Sequence, residues 1–479
     1  MRHGSDTYRF GPFALDPRHR RLHRHGEPIR LHGRQMDVLL ILAAQAGQLV
    51  SKEALVAGAW RDAAVTDSAI VQAVSRLRTA LGDQPDGTPY IETQSREGYR
   101  FVAPLEREAP SPSPLALDPL LAPYRAFVDG RAGLERLDRG AIDRARLAFV
   151  EGVRAVPDDA AAHIGLANAC VLRFETTRAD VEPDVEALRQ ADHHAREGCR
   201  LNPTSGDAWS TWGLVRHRLG DTRDATAAAL KAVSLDPDNW HHCVRLALVS
   251  WGGRRLSAAH RARALYPDLA LAHWLSATVF VARQAFDIAQ AELRAGCARL
   301  DTQDGTGPVR AVGLHLLHGL VLAATGDLDA GLQALSREIG SAGDDHVYGR
   351  ESCANAWYAT GALHLRSGRR AQAAVAFREA LTRVPGHALA SVGLASIDPA
   401  VGVSPARLHA NPVDPAIVEA ARLALHGHHD DAARLCERAL SDTNHEMAGW
   451  QLPVEPILNV SAHAEAWKPA LALVRRRAG

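Results

Sequence analysis

Nowhere in this sequence of 479 residues does an apolar run reach the roughly eighteen residues needed to cross a bilayer, and the N-terminus MRHGSDTYRF has no apolar stretch. Neither a membrane span nor a secretory signal peptide is expected, which places the chain in the cytoplasm. Cysteine is sparse. Cys170, Cys199, Cys243, Cys297, Cys353 and Cys436 lie far apart with no C-x-x-C pair, so they read as reduced core thiols rather than a zinc site or a disulfide framework. A Walker P-loop and an H-E-x-x-H motif are missing, and no strand and helix flank a G-x-S-x-G. An enzyme would have no residues to stand on, and no cofactor is expected. The histidines His193, His194, His241, His242, His426, His428 and His429 tempt a metal reading. Adjacent histidines on a helix point about 100° apart, however, and rarely converge on one ion.

Net charge is also absent: 55 basic residues balance 55 acidic ones, so any electrostatic case for nucleic acid has to be local. Residues 1–105 hold 14 Lys and Arg against 11 Asp and Glu. Six arginines between Arg18 and Arg34 face one acid, Glu27; the bland account of that stretch is the solvated face of a leading hairpin. With 46% hydrophobic and 23% charged residues the composition is that of a folded protein. The length suggests about three units or an extended repeat.

A Pro- and Ser-rich stretch, PLEREAPSPSPLALDP from Pro104 to Pro119, divides the chain. Proline's locked φ and missing N–H make such a segment extended and free of helix. The boundaries read as residues 1–105 for a first domain, 106–121 for a linker and 122–479 for a second domain. Short alternating segments (YRF, FAL, RRLHR, PIRL) separated by Gly-Pro, Asp-Pro and His-Gly-Glu precede it, the punctuation of small antiparallel strands. After it, Ala and Leu recur at helical spacing.

The second part repeats. From Ala208 to Pro237, Trp209, Gly213, Gly220, Ala225, Ala232 and Pro237 fall at the offsets of a tetratricopeptide unit, and Trp357, Gly361, Gly368, Ala373, Phe377, Ala380 and Pro385 reproduce that spacing. Weaker copies close at Pro157 and Pro203. Small residues let paired helices approach, glycine ends the first helix and proline terminates the second. About seven or eight units are expected, with an insertion between Cys170 and Ala191 and a shortened copy before Pro267. The closing segment from Gly449 to Gly479 breaks the pattern and reads as a capping helix.

In the first part, VTDSAIVQAVSRLRTAL from Val65 to Leu81 reads as one helix capped by Thr66 or Asp67. Ile70, Val74, Leu77 and Leu81 make a buried stripe. The opposite face carries Ser68, Gln72, Ser75, Arg76 and Thr79, donors and acceptors suited to base edges and phosphates. A helix from Gly33 to Ala46, a second capped by Ser51 and ending near Trp60, and two β runs, YIETQ and GYRFV, complete three helices and a β-hairpin. Trp60 and Tyr99 read as packing residues.

LVSKEAL with Trp60, VSRLRTALGD from Val74 to Asp83, and PYIETQSREGYRFVAP from Pro89 to Pro104 together resemble the OmpR/PhoB-type winged-helix domain, in the version found in ToxR/CadC-like one-component regulators. The resemblance implies a small α+β winged helix-turn-helix domain with a leading sheet; with the repeats after it, the expected chain is mostly α, that domain followed by an α-solenoid of tetratricopeptide-like hairpins. It implies that Gln72, Ala73 and Arg76 face the bases, and that Ser75, Arg78 and Thr79 serve backbone contacts or helix support. A pairing of Arg78 with Glu53 is the structural alternative. Ser68 and Thr93 join the DNA-contacting set, and Arg96 in the wing sits where a basic residue enters the minor groove, although here Glu97 follows it.

The expected function is a sequence-specific transcription regulator that binds double-stranded DNA. Its array would receive a protein, peptide or small-molecule signal or mediate self-association, and a homodimer would read repeated half-sites. The alternative is a scaffold whose winged helix docks protein instead of DNA.

Overall fold

The computed structural model describes residues 7–17, 20–60, 67–84, 86–94, 97–108, 134, 137, 139–180, 182–302, 311–341, 343, 345–400 and 413–479. The chain forms two compact units, Met1–Leu120 and Leu121–Gly479. The first is an α+β winged helix; the second is helical.

In the first unit, β1 (Thr7–Phe10), β2 (Phe13–Asp16), β3 (Arg21–Arg24) and β4 (Glu27–Ile29) form an antiparallel meander in which Tyr8 lies opposite Leu15 and Leu15 opposite Leu22. The period of two sends Tyr8, Phe10, Phe13, Leu15 and Leu22 inward and leaves Arg9, Arg21 and Arg24 outside. The helices are α1 (Gly33–Ala44), α2 (Lys52–Leu55), which continues as one π-helical turn over Val56–Trp60, and α3 (Asp67–Leu81). Ser51 caps α2, its Oγ accepting from the Ala54 amide at 3.1 Å.

Two pairings depart from the sequence pattern. The run Leu49–Ser51 is a strand, β5, which pairs with β7 (Gly98–Phe101) on the side away from β6 (Ile91–Gln94), so the expected hairpin is a three-stranded sheet. At Gly98 a Cβ would stand 2.0 Å from the Val50 carbonyl oxygen, so only glycine lets these strands meet. Glu106–Glu108, expected to open the linker, form β8 and pair with β1, correcting that boundary. The extended backbone expected after Pro104 is already in strand geometry, and the open edge of β1 supplies its hydrogen-bond partners. Phe10, Phe13, Tyr90 and Phe101 pack as an aromatic cluster joining sheets and helices, with neighbouring ring centroids 5.0–5.7 Å apart in four pairs.

The second unit begins with α4 (Arg139–Ala155) and continues as helical pairs: α5 (Ala160–Thr177) with α6 (Val185–Leu201), α7 (Gly206–Arg218) with α8 (Thr222–Leu235), α9 (Trp240–Val249) with α10 (Gly252–Leu265), and α11 (Ala270–Ala282) with α12 (Phe286–Thr302). α13 (Leu314–Ala324) pairs with α14 (Leu328–Ser341), and α15 (Gly349–Arg366) with α16 (Arg370–Arg383); a short α17 (Ala388–Ala395) follows, then α18 (Val413–Leu425) with α19 (His429–Ser441), and α20 (Ala464–Ala478) ends the chain.

The closing prolines work together with the residue two places on. Asp159, Ser205 and Asn239 follow Pro157, Pro203 and Pro237, and each accepts a backbone N–H at the start of the next helix. His387, after Pro385, does the same through Nδ1. Proline stops one helix and a polar side chain starts the next. Close approach explains the small residues. The Phe377 ring is wedged between Gly361 and Gly393, where added Cβ atoms would come within 2.6 and 2.5 Å of it.

The end of the chain does more than cap a stack. Arg283, just after α11, donates through Nε and Nη2 to the Ala478 carbonyl at 3.1 and 2.8 Å, and Gln284 donates to Leu471 O at 3.4 Å. Trp450 meets Trp274 edge to face at 6.3 Å, and Tyr358 Oη donates to the Glu455 carboxylate. The C-terminal segment therefore folds back on helices about 200 residues earlier, in addition to covering α19 as a terminal cap would. A second closure joins Val347 N to Leu137 O at 2.8 Å and Arg139 N to Asp345 O at 2.9 Å. No described helix is long and apolar enough to cross a membrane.

Candidate nucleic-acid interface

The period of α3 decides which of its residues face solvent. Ile70, Val74, Leu77 and Leu81 are 2%, 1%, 0% and 1% exposed and lock the helix onto the core of the first unit. At about 100° per residue, the exposed Val71, Gln72, Ser75, Arg76 and Thr79 share one arc of roughly 140°. Four of these five are polar, which suits a surface meant to exchange water for base edges and phosphate oxygens.

Ala73 does not belong to that arc. It is 7% exposed and packs in the core beside Val74, because its angular position lies only about 40° beyond Leu77, at the border of the buried stripe; the expected base contact is corrected. Arg78 is only half exposed. Its Nε and Nη2 donate to the Ile91 carbonyl at 2.9 and 2.7 Å, and Nη2 also donates to Thr93 Oγ1 at 2.8 Å. Arg78 thus ties the helix to β6, and the proposed ion pair with Glu53 is not what it forms. Thr93, exposed on β6, is that anchor's partner. Thr79 Oγ1 donates to the Ser75 carbonyl at 3.1 Å. The Ser68 side chain, Thr66 and Arg96 lie outside the described residues. Tyr99 is 4% exposed and belongs to the core.

The basic stretch before α1 divides by role. Arg20 pairs with Asp37 at 2.8 Å and donates to Gly33 O at 3.2 Å, and Arg34 donates to Ala59 O. Both brace α1. Arg21, Arg24 and Arg30 are exposed, with Arg24 over the Phe13 ring at 5.6 Å.

Val71 is the residue that sequence reasoning passed over. It is 53% exposed beside Gln72 and one turn before Ser75, and its position relative to the buried stripe was the available signal. An apolar side chain on a reading face suits the C5-methyl of thymine.

The unit that carries this polar-faced helix, pinned by Arg78 to β6, is also where the similarity to known proteins lies. Residues 26–101 match the family model described as transcriptional regulatory protein, C terminal. This region is a transcriptional-regulator DNA-binding domain. The regulator domain is similar to the transcriptional activator CadC of Escherichia coli, 30% identical over 98 residues, which is 20% of this chain and 19% of CadC. It is likewise similar to the cholera toxin transcriptional activator of Vibrio cholerae, 33% identical over 82 residues, 17% of this chain and 28% of that protein. Among solved structures, the Klebsiella pneumoniae RstA DNA-binding domain in complex with the RstA box is 34% identical, covering 20% of this chain and 96% of that one, with a TM-score of 0.18. The chain spans less than a third of the length of these two curated relatives.

Proposed function

We propose that this chain is a sequence-specific transcription regulator that acts on double-stranded DNA in the cytoplasm and whose helical array receives the signal. The observation that carries the reading is the outward arc of α3. Gln72, Ser75, Arg76 and Thr79 stand together above a fully buried stripe, and the neighbouring Arg78 is spent on holding the helix against β6. The helix lies in the major groove, Gln72 and Arg76 take base edges, and Ser75 and Thr79 take the flanking backbone. The hairpin that carries Arg96 reaches the adjacent minor groove. One small domain buries little surface on DNA, so two copies on repeated half-sites supply the specificity.

The array supports a receiving role by the contacts that close it on itself, from Leu137 and Arg139 to Val347 and Asp345. A scaffold whose winged helix docks protein has less support, because four of the five residues on the arc are polar, whereas a protein-docking face is centred on a buried apolar or aromatic anchor.

The test is a genome-wide DNA-binding selection with the full-length protein, beside Arg76→Ala, at two salt concentrations. The expected result is one repeated motif, lost in the variant and weakened by salt through counterion release. Indistinguishable profiles for the two proteins would end the case for base reading by α3.

A further inference from the structure

The inner helices of the array carry a polar network that the DNA-binding role does not use. Asn168 on α5, Thr211 on α7 and Arg245 on α9 join across three successive hairpins. Arg245 Nη2 donates to Asn168 Oδ1 at 2.6 Å and Nη1 to Thr211 Oγ1 at 3.3 Å, while Asn168 Nδ2 donates to Thr211 Oγ1 at 2.9 Å. Nearby arginines of the interior are neutralised. Arg178 pairs with Glu351 at 2.8 Å and Glu175 at 3.3 Å, Arg218 pairs with Glu175, and Arg350 pairs with Asp180. Among the described residues, Arg245 has no carboxylate within ion-pair distance; burial pushes its pKa down, against a weaker opposing pull from the more distant Asp207. Two of the five guanidinium N–H groups are engaged, which leaves three free to donate.

Beside this network the end of α5 meets the start of α15, through the ion pairs of Arg178 with Glu351 and of Arg350 with Asp180. Arg245, Tyr348, Glu351 and His387 are all only half-buried. Yet burial pushes the Tyr348 hydroxyl up to about 12 and the His387 imidazole down to about 4. Tyr348 lies under the Arg178 guanidinium at 5.3 Å, and His387 Nε2 is 3.0 Å from Asn355 Oδ1, so both are packed among polar groups of the array while still reaching water. The pairing of Arg178 with Glu351 joins helices 173 residues apart next to this network.

We propose that this interior is a ligand site in which Arg245, held in place by Asn168 and Thr211, binds the oxyanion of a small acidic molecule, either a carboxylate or a phosphate. A guanidinium fork fixed by two side chains is pre-organised for such a group, because its ordering cost is met before the ligand arrives. A desolvated cation that has no carboxylate in direct contact, only the more distant Asp207, is a cost to the empty protein that a bound anion relieves. The inference gives the array's signal-receiving role in the reading above a chemical class of signal, and its test does not depend on DNA.

Inorganic phosphate, followed by ³¹P line broadening, and acetate, followed by saturation-transfer NMR, are titrated into the full-length protein at constant ionic strength made up with chloride. The variants are Arg245→Met, Arg245→Lys, the exposed control Arg254→Met and the DNA-face variant Arg76→Ala, with circular dichroism reporting the fold. Saturable binding of at least one probe is expected, weakened ten-fold or more in R245M and retained in R254M and R76A. If R245M does not fold, R245K is the deciding variant: it keeps the charge, loses the fork, and is expected to weaken binding several-fold. Phosphate without acetate assigns the ligand a phosphate; the reverse assigns it a carboxylate. Binding of neither probe, equal binding in the folded Arg245 variants, or loss only in R76A would overturn the proposal.

Discussion

Glu455 sits in the fold-back segment between Pro453 and Pro456 and is 7% exposed. Its carboxylate accepts from Tyr358 Oη and from the Ile457 amide at 3.3 Å, and among the described residues it has no ion-pair partner. Burial pushes its pKa from the ordinary 4.5 up to about 7. Below pH 4.5 the group is protonated in both the folded and the unfolded chain. As pH rises toward 7 the unfolded chain ionises first, so stability is lost across that window and stays constant above it. A difference of two to three pKa units corresponds to about 3 kcal/mol. Glu455→Gln keeps the acceptor for Tyr358 and cannot ionise. The variant should match the parent at pH 4.5 and exceed it by about 3 kcal/mol at pH 8, a shift of about 1 M in the urea midpoint of a unit of this size. Tryptophan fluorescence reads the right part of the molecule, since every tryptophan except Trp60 lies beyond residue 200. An equal midpoint difference at both pH values, or none at pH 8, would refute the reasoning.

Arg78→Ala removes hydrogen bonds to Ile91 and Thr93 and should cost the first unit about 1–2 kcal/mol, seen as earlier thermal unfolding of its β signal; an unchanged melting temperature would remove Arg78 as an anchor. Gly361→Ala drives a methyl to 2.6 Å from the Phe377 ring and should destabilise the array by about 1–3 kcal/mol, part of it recovered by adding Phe377→Leu. A neutral G361A in urea unfolding would show that the helices can part freely. Burial pushes the thiols of Cys199, Cys297 and Cys436 up to about 12 and that of Cys170 up to about 11, so the native protein at pH 8 should react with a disulfide reagent far more slowly than a free thiol. Rapid labelling of Cys199, the half-exposed one, would contradict this.

What sequence reveals here is what short-range periodicity carries. The stripe from Ile70 to Leu81, the glycines and prolines of the hairpins, and the cap at Ser51 all follow from neighbours within one or two turns. The β5 strand was hidden because three residues, Leu49–Ser51, are too few to show alternation. Ala73 was misplaced because an alanine is compatible with either face of a helix. Arg78 could not be assigned from spacing, since its acceptors lie 13 and 15 residues away on another element. The interior network is still less legible: Asn168 and Arg245 are 77 residues apart, and only the stacking of three hairpins brings them together.

The return of α20 to Arg283 and Gly252 changes how the array should come apart. In an open stack each hairpin leans only on its neighbours, so ends fray first and middle repeats persist. Here the last helix is clamped to the middle, with Ala478 O 2.8 Å from the site of a Cβ on Gly252. Release of that helix strips cover from α10 and α11 as well as from α19. Unfolding therefore propagates between regions distant in sequence, and the far end of the chain governs whether its centre holds.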